Sequence, residues 1–320
     1  MNITHGGDLF AVARERGWDW REVLDLSASI NPLGPPPGVR AAIQSALDRI
    51  VHYPERAPGL LAERLGVLWN VDPACILLGN GATDLIHFYA RVMPQPATLV
   101  VPTFSEFHRA YPSARLVRWD APCNGDDLLV ITRPNNPLGF VPSVPDTGRP
   151  LLIDESFLDF TGADSAVATR PNVLVLRSLT KFYALPGLRI GALVGSVEDL
   201  RKLREPWQVN VLAEAAALAA IEDRDYAERS LTLISRERTW IWEQLKRLPR
   251  IRPVRSCANY YLVYHDGVEA LCRWFLERKI LLRNQTGTRG IDGECFRFAI
   301  RTRAENERFV ALLTEYLCAF

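Results

Sequence analysis

Net charge is almost absent from this 320-residue chain, in which 38 Lys and Arg side chains balance 37 Asp and Glu side chains to leave +1 at pH 7. Without a positive excess, the chain has no general electrostatic attraction to nucleic acid or to an anionic membrane, so neither partner is expected. No apolar run approaches the length of a membrane span, and the first residues lack the basic and apolar regions of a signal peptide. We therefore expect a cytoplasmic protein.

Paired cysteines are also missing. The six cysteines are scattered along the sequence and none forms a CxxC pair, which favours free thiols over disulfides or a metal site. Internal repeats are absent, and the only low-complexity tract is the run of prolines at 35–37. With 48% hydrophobic residues, the chain can form a large core, which we expect to be divided between two domains.

Short apolar runs recur in the middle of the chain, at 98–101, 128–131, 151–153 and 173–176, and each leads into polar residues. Continuous apolar strands are typical of a parallel sheet that is covered by helices on both faces. Folds of this kind bind ligands beyond the carboxyl ends of their strands. The pattern predicts an α/β protein with its functional residues at those strand ends.

The most informative stretch follows the run at 173–176 and contains Ser178, Lys181 and Arg189. Desolvation and nearby cations lower the pKa of a lysine and make it a nucleophile that can form a Schiff base. A hydroxyl and a guanidinium are groups that suit a phosphate. The stretch therefore indicates an aldehyde cofactor that carries a phosphate, pyridoxal phosphate. For the lysine alone, an ordinary surface position after a strand is the alternative.

Three further strand ends carry polar residues of the same character. Asp154 needs a cationic partner, which a protonated pyridine nitrogen would supply, although it could also cap a helix. Asn136 can donate to a phenolate-type oxygen, or it can serve only the Asn-Pro turn. Arg301, at the end of the last predicted strand, could clamp a substrate carboxylate or could be an exposed arginine.

Other segments give weaker signals. The glycine turn at 79–84 precedes a helix whose free N–H groups suit a phosphate, though Thr83 could simply cap that helix. The aromatic rings at 104 and 107 could stack on a planar cofactor or lie in the core. The glycines after His5 would let an anion approach closely, or belong to a flexible terminus. Asn31 lines a pocket or caps a turn.

Asn136, Asp154, Lys181 and Arg189, in this order and at strand ends, together resemble the fold-type I pyridoxal-phosphate enzymes of the class I/II aminotransferase family. The resemblance covers nearly the whole chain. It implies an aspartate aminotransferase-like fold, with a three-layer αβα large domain around a mainly parallel sheet and a smaller α+β C-terminal domain. The implied division is an N-terminal arm and small-domain segment at 1–50, a large cofactor-binding domain at 51–210 and a small domain at 211–320.

The resemblance also implies roles for individual residues. Lys181 would bond covalently to the cofactor and Asp154 would pair with its pyridine nitrogen, so both are expected to be catalytic. The other implied cofactor contacts are Gly81, Ala82, Thr83, Phe107 (or Phe104), Asn136, Ser178 and Arg189. Tyr53 would reach the cofactor phosphate of a neighbouring subunit, so a homodimer is expected. The implied substrate contacts are His5, Gly7, Asn31, Arg297 and Arg301.

Within the family, five segments are similar to members that decarboxylate a phosphorylated amino acid: 5–7, 26–34, 177–189, 206–210 and 298–301. Position 157 is Phe, whereas transaminating relatives usually have Tyr there. The resemblance therefore implies a pyridoxal-phosphate-dependent carboxy-lyase with a small phosphorylated substrate. The first alternative is transamination of a phosphorylated amine. The second is a silent relative that only binds the cofactor, which the intact Lys181 and Asp154 disfavour.

Overall fold

The computed structural model describes residues 6–167 and 170–319. Their helices are α1 Leu9–Arg16, α2 Gly38–Ala46, α3 Gly59–Trp69, α4 Gly81–Val92, α5 Ser105–Ala110, α6 Leu179–Phe182, α7 Glu198–Lys202, α8 Val211–Glu222, α9 Tyr226–Leu245, α10 Val268–Glu277 and α11 Arg303–Ala319. Their strands are β1 Leu24–Asp25, β2 Ile76–Gly79, β3 Ala97–Val101, β4 Arg115–Arg118, β5 Leu128–Thr132, β6 Leu151–Asp154, β7 Val173–Ser178, β8 Gly191–Val194, β9 Arg252–Pro253, β10 Tyr260–Tyr264, β11 Ile280–Leu281, β12 Arg283–Asn284 and β13 Cys295–Ala299.

The large domain is built on a seven-stranded sheet in the order β2-β8-β7-β6-β5-β3-β4. Strands β7, β6, β5, β3 and β4 run parallel, whereas β8 is antiparallel to both of its neighbours. The side chains of β5, β6 and β7 are all buried, because helices cover both faces of the sheet. This confirms the predicted α/β class and the mainly parallel sheet.

The small domain contains an antiparallel sheet in the order β12-β13-β10-β9. Its aromatic core includes Phe275, Phe296, Phe298 and Phe309. Strand β1 pairs in parallel with β11, so the N-terminal part of the chain is joined to the small domain.

Helix α8 lies at the predicted boundary between the domains. Its Ala213 and Ala217 belong to a buried cluster that also contains Leu61 and Ile190 of the large domain. Its Ala216 and Ala220 pack with Val39 of α2. This packing favours a boundary after α8, and the predicted division at 210/211 stays a prediction.

Apolar helices long enough to cross a membrane do not occur within residues 6–167 or 170–319.

Candidate active site

A cavity of about 420 Å³ opens beyond the carboxyl ends of β5, β6 and β7. The register of the sheet places Thr132 opposite Asp154, and Asp154 opposite Leu176, so these strand ends lie side by side. Asn136, Asp154 and Lys181, which follow or end these three strands, all line the cavity. The fold therefore brings together three residues that the sequence analysis singled out and that lie up to 45 positions apart in the chain.

Lys181 is the amine of the cavity. Burial lowers its pKa to about 8; the Asp154 carboxylate opposes this shift, and the Arg189 and Arg297 guanidinium groups add to it. Its Nζ donates to the Thr180 hydroxyl at 3.0 Å. At neutral pH an amine with a pKa near 8 is about one-tenth deprotonated, far more than an ordinary lysine, so Lys181 is a much better nucleophile than a surface lysine.

Asp154 is the buried carboxylate at the end of β6. Burial raises its pKa, and hydrogen bonds from Ser156 and the charge of Lys181 oppose that shift. The Ser156 N–H donates to Asp154 Oδ1 at 2.9 Å, which orients the side chain. A carboxylate held in this way suits a cationic ring nitrogen.

The next residue, Glu155, fixes the backbone behind the cavity. It is fully buried and pairs with Arg133 at 3.0 Å and with Arg177 at 3.2 Å. These two ion pairs hold the loop after β6 against its neighbours, so the position of Asp154 is set by a satisfied charge network.

The phosphate end of the cavity combines the start of α4 with Arg189. Ala82 and Thr83 line it together with Arg189. Gly81 has φ +84°, and a β-carbon there would lie 2.5 Å from Arg189 Nη2, so this cradle requires glycine. Ser178 is near but does not line the cavity; its hydroxyl lies 2.7 Å from that of Thr180, where it caps α6.

The sequence offers two phenylalanines, Phe104 and Phe107, for stacking on the cofactor ring, and the structure distinguishes between them. Phe104 precedes α5 and lines the cavity, whereas Phe107 is fully buried in the core under α4. The position of Phe107 does not support its predicted role, and Phe104 is the better candidate. Phe157 also lines the cavity, with its ring 5.9 Å from Lys181 Nζ.

Arginines define the substrate end. Arg283 and Arg297 are directly opposite each other on β12 and β13, and both line the cavity. Burial and the nearby Arg283 lower the pKa of Arg297. Like charges that face each other across a sheet are unfavourable, so this pair suits a bound anion.

Some predicted substrate residues lie elsewhere. Arg301 lines a second cavity and pairs with Glu305 at 3.3 Å; its position does not support the predicted carboxylate clamp. Asn31 is buried and donates to the Phe182 carbonyl at 2.9 Å and to the Ser230 hydroxyl at 2.7 Å, which is a structural role. Gly7 contacts Ser27 at the cavity wall. His5 lies outside the described residues.

Sequence reasoning missed Arg283 and Arg109, which both line the cavity. Arg283 follows the apolar residues of β11 and so stands at a strand end, a signal that could have identified it. Arg109 lies on α5, where Glu106 accepts a hydrogen bond from its guanidinium at 3.2 Å, and no pattern in the sequence marks it.

The chain belongs to the aminotransferase class I and II family, which matches residues 21–313. It is 34% identical over 354 aligned positions to the threonine-phosphate decarboxylase of Salmonella typhimurium, covering 99% of this chain and 97% of that protein. It is 29% identical to the histidinol-phosphate aminotransferase of Methanothermobacter thermautotrophicus, covering 97% and 93%. Among solved structures, the histidinol-phosphate aminotransferase of Clostridium acetobutylicum superposes with a TM-score of 0.84 at 26% identity, covering 93% of this chain and 100% of that one.

Pyridoxal 5'-phosphate is the cofactor of this family, and the residues of the cavity fit it. The pKa of the Lys181 amine is lowered, and the charges that act on the buried Asp154 carboxylate are those of Lys181 and Glu155, which leaves this carboxylate suited to a cationic ring nitrogen. The glycine cradle at Gly81 meets the Arg189 guanidinium, which suits a phosphate. The protein is therefore a pyridoxal-phosphate enzyme of the aminotransferase fold.

Proposed function

We propose that this enzyme decarboxylates L-threonine O-3-phosphate to (R)-1-aminopropan-2-yl phosphate, the aminopropanol unit of the cobalamin nucleotide loop. The observation that carries the proposal is the cross-strand pair of Arg283 and Arg297 in one cavity. Arg189, beside the glycine cradle, remains for the cofactor phosphate. The pair and Arg109 then offer cationic groups to a substrate with both a carboxylate and a phosphate.

The cofactor would be held by Lys181, by Asp154 at its ring nitrogen, by Asn136 at its ring hydroxyl and by Arg189 with the start of α4 at its phosphate. Phe104 is proposed as the stacking ring, whereas the role of Ser178 at the phosphate stays a prediction from the sequence, because its hydroxyl contacts Thr180 outside the cavity. When bound, pyridoxal phosphate supplies an electron sink for the pair of electrons that is released when a bond to the substrate Cα breaks. Asp154 keeps a proton on the ring nitrogen by its negative charge.

The protein's residues decide which Cα bond breaks by fixing the substrate's orientation. Arg297 binds the carboxylate, while Arg283 and Arg109 bind the phosphate. With both ends anchored, rotation about the substrate Cα is restricted, and the Cα–carboxylate bond would be the one presented for cleavage. When carbon dioxide leaves, Nζ of Lys181 would deliver one proton to Cα in its place.

Phe157 supports decarboxylation over transamination. Its ring packs edge-on against Tyr260, with centroids 5.2 Å apart, and it has no hydroxyl to bond the ring oxygen of the cofactor. The histidinol-phosphate aminotransferases remain the second candidate because their similarity to this chain is nearly as high. Histidinol phosphate has a phosphate but no carboxylate, so in that reaction only the keto-acid co-substrate would place a carboxylate on the arginine pair.

One turnover experiment distinguishes these activities. The holoenzyme is incubated with phosphothreonine, phosphoserine or histidinol phosphate, each with and without 2-oxoglutarate, and both carbon dioxide and glutamate are measured. We expect carbon dioxide from phosphothreonine at a rate that is independent of 2-oxoglutarate. Glutamate formation from histidinol phosphate without release of gas would overturn the proposal in favour of the aminotransferase.

A further inference from the structure

The N-terminal glycine segment, defined as residues 6–8, runs along the wall of the active-site cavity. Gly6 lines the cavity, and the Gly7 N–H donates to the Ser27 hydroxyl at 3.0 Å. The charge of Asp8 acts on the Arg283 guanidinium, where it opposes the effect of burial on the arginine pKa. The segment therefore lies at the cavity wall, and its one charged residue is close enough to Arg283 to influence that arginine.

Close approach to Ser27 explains why this segment contains glycines. A β-carbon at Gly6 would lie 2.2 Å from the Ser27 carbonyl oxygen, and Gly7 has φ +94°. Any larger residue at position 6 would have to move the segment away from Ser27. The close packing of Gly6 on Ser27 therefore depends on glycine at position 6 and on the position of the Ser27 carbonyl.

That same carbonyl also holds Arg297. The Nη2 of Arg297 donates to the Ser27 oxygen at 3.1 Å, whereas its Nε is buried without a hydrogen-bond partner among the residues described. Ser27 therefore contacts the glycine segment through its hydroxyl and the carboxylate-binding arginine through its carbonyl. With an exposed fraction of 1%, it has little freedom to move.

Asp25 fixes the orientation of Ser27. Its Oδ1 accepts from the Ser27 hydroxyl at 2.6 Å and from the Ser27 N–H at 2.8 Å. Because the hydroxyl proton is committed to Asp25, the hydroxyl oxygen can only accept from Gly7. Asp25 itself is held by β1, which pairs with β11 of the small domain.

We propose that Asp25 and Ser27 are positioning residues that couple the seating of the N-terminal glycine segment to the orientation of Arg297. The substrate carboxylate meets a correctly placed guanidinium only when residues 6–8 lie against Ser27. This proposal rests on the proposed function for the identity of the substrate, but the coupling itself involves only residues of the chain.

The test compares Ser27→Ala with three other variants. Ser27→Thr retains a hydroxyl and serves as the conservative rescue. Thr98→Val is the matched control. Thr98 is buried on β3, and its hydroxyl donates to Asp127 and accepts from Arg115 at 3.1 Å. The valine variant therefore loses one donated and one accepted hydrogen bond, as Ser27→Ala does, but away from the cavity. Asp25→Asn, which removes the acceptor charge but keeps the shape, is the second variant should Ser27→Ala fail to fold.

Two readouts separate coupling from simple destabilisation. Hydrogen–deuterium exchange of the peptide that contains Gly7, measured without substrate, should be about tenfold faster in Ser27→Ala, since one buried hydrogen bond contributes roughly that factor. The KM for phosphothreonine should rise about tenfold, while the affinity for the carboxylate-free product, (R)-1-aminopropan-2-yl phosphate, changes less than about twofold. Ser27→Thr should recover most of both effects.

Unchanged exchange at the Gly7 peptide, or equal loss of affinity for substrate and product, would overturn the proposal. So would the same changes in Thr98→Val. The exchange measurement uses no substrate, so its result stands if phosphothreonine proves not to be turned over. In that case the proposed function fails, while the seating of residues 6–8 on Ser27, on which the coupling depends, is still tested.

Discussion

Arg297 donates from Nη1 to the side-chain oxygen of Asn136 at 2.5 Å, which joins the small domain to the loop after β5. This hydrogen bond commits the Asn136 oxygen as an acceptor, so its amide N–H groups are directed to other partners. Arg297 also donates to the Ser27 carbonyl at 3.1 Å. Three separate parts of the chain thus meet at a single guanidinium.

Replacement of Arg297 by lysine should weaken binding of a carboxylate substrate. Lysine keeps the positive charge but cannot bond Asn136, Ser27 and a carboxylate with a planar fork. We expect the KM for phosphothreonine to rise about a hundredfold, the equivalent of about 2.7 kcal/mol, as measured by initial rates of carbon dioxide release. Arg301→Lys is the matched control, because Arg301 lies outside this cavity; a larger effect there would reverse the assignment.

The choice between Arg297 and Arg301 shows a limit of sequence reasoning. Side chains alternate along a strand, so residues 297 and 301 would share a face if β13 continued. The strand ends at Ala299 and α11 begins at Arg303, so the backbone turns before it reaches Arg301. Where a strand ends is the least certain feature of a sequence pattern, and here it decides which arginine faces the cavity.

The lowered pKa of Lys181 gives a prediction for chemical modification. In the protein without cofactor, labelling of Lys181 by an amine-specific reagent should rise through pH 8 and then level off. Lys202 should require a higher pH, because its hydrogen bond to Asp199 raises its pKa. Peptide mapping by mass spectrometry follows both sites in one sample. Identical pH profiles for the two lysines would contradict the environment described for Lys181.

The same shift affects stability with a defined sign. In the unfolded chain the lysine has its ordinary pKa of 10.5, whereas in the folded chain the value is about 8. Between these values the unfolded state binds more protons, so the free energy of unfolding contributed by this group increases as pH rises from 8 to 10.5. In the cofactor-free protein, Lys181→Met should remove this increase, which denaturant titrations at the two pH values would measure.

The residues at the strand ends were predictable because their positions follow from the topology. Parallel strands bring their carboxyl ends to one edge, so Asn136, Asp154 and Lys181 had to meet if 128–131, 151–153 and 173–176 were neighbours. The roles of Asn31 and Phe107 were not predictable in this way. The partners of Asn31 lie 151 and 199 positions away, and such contacts depend on packing between domains that no local pattern contains.

Tyr53 gives a test of the expected homodimer. It is 81% exposed, and its ring stacks on Trp207 with centroids 4.8 Å apart, so within one subunit it does not enter the cavity. If it serves the partner's site, Lys181→Ala and Tyr53→Ala should each lose most of the activity. Mixed subunits should recover about a quarter of it, because half of the randomly formed dimers carry one intact site.

The necessary controls for Tyr53 are the two variants alone and the mass of each in solution. Light scattering should give twice the 36.0 kDa of the chain for the native protein and for both variants. A monomeric mass, or no recovery of activity on mixing dimers that have exchanged subunits, would contradict a contribution across the interface.

Substitution of Gly81 should weaken cofactor binding selectively, and Gly59 provides a control at an equivalent position. Each is the first residue of a helix, α4 or α3. An alanine at 81 would place its β-carbon 2.5 Å from Arg189 Nη2 at φ +84°, whereas at 59 it meets nothing within 4 Å. We expect Gly81→Ala to raise the dissociation constant for pyridoxal phosphate by at least about tenfold, since the displaced guanidinium loses one charge-assisted hydrogen bond.

Gly59→Ala should bind the cofactor normally and be slightly more stable, because alanine favours a helix over glycine by up to about 1 kcal/mol. Visible absorbance titration and thermal unfolding of the cofactor-free proteins measure the two effects separately; equal cofactor affinities in the two variants would mean that Arg189 does not form the phosphate end of the site.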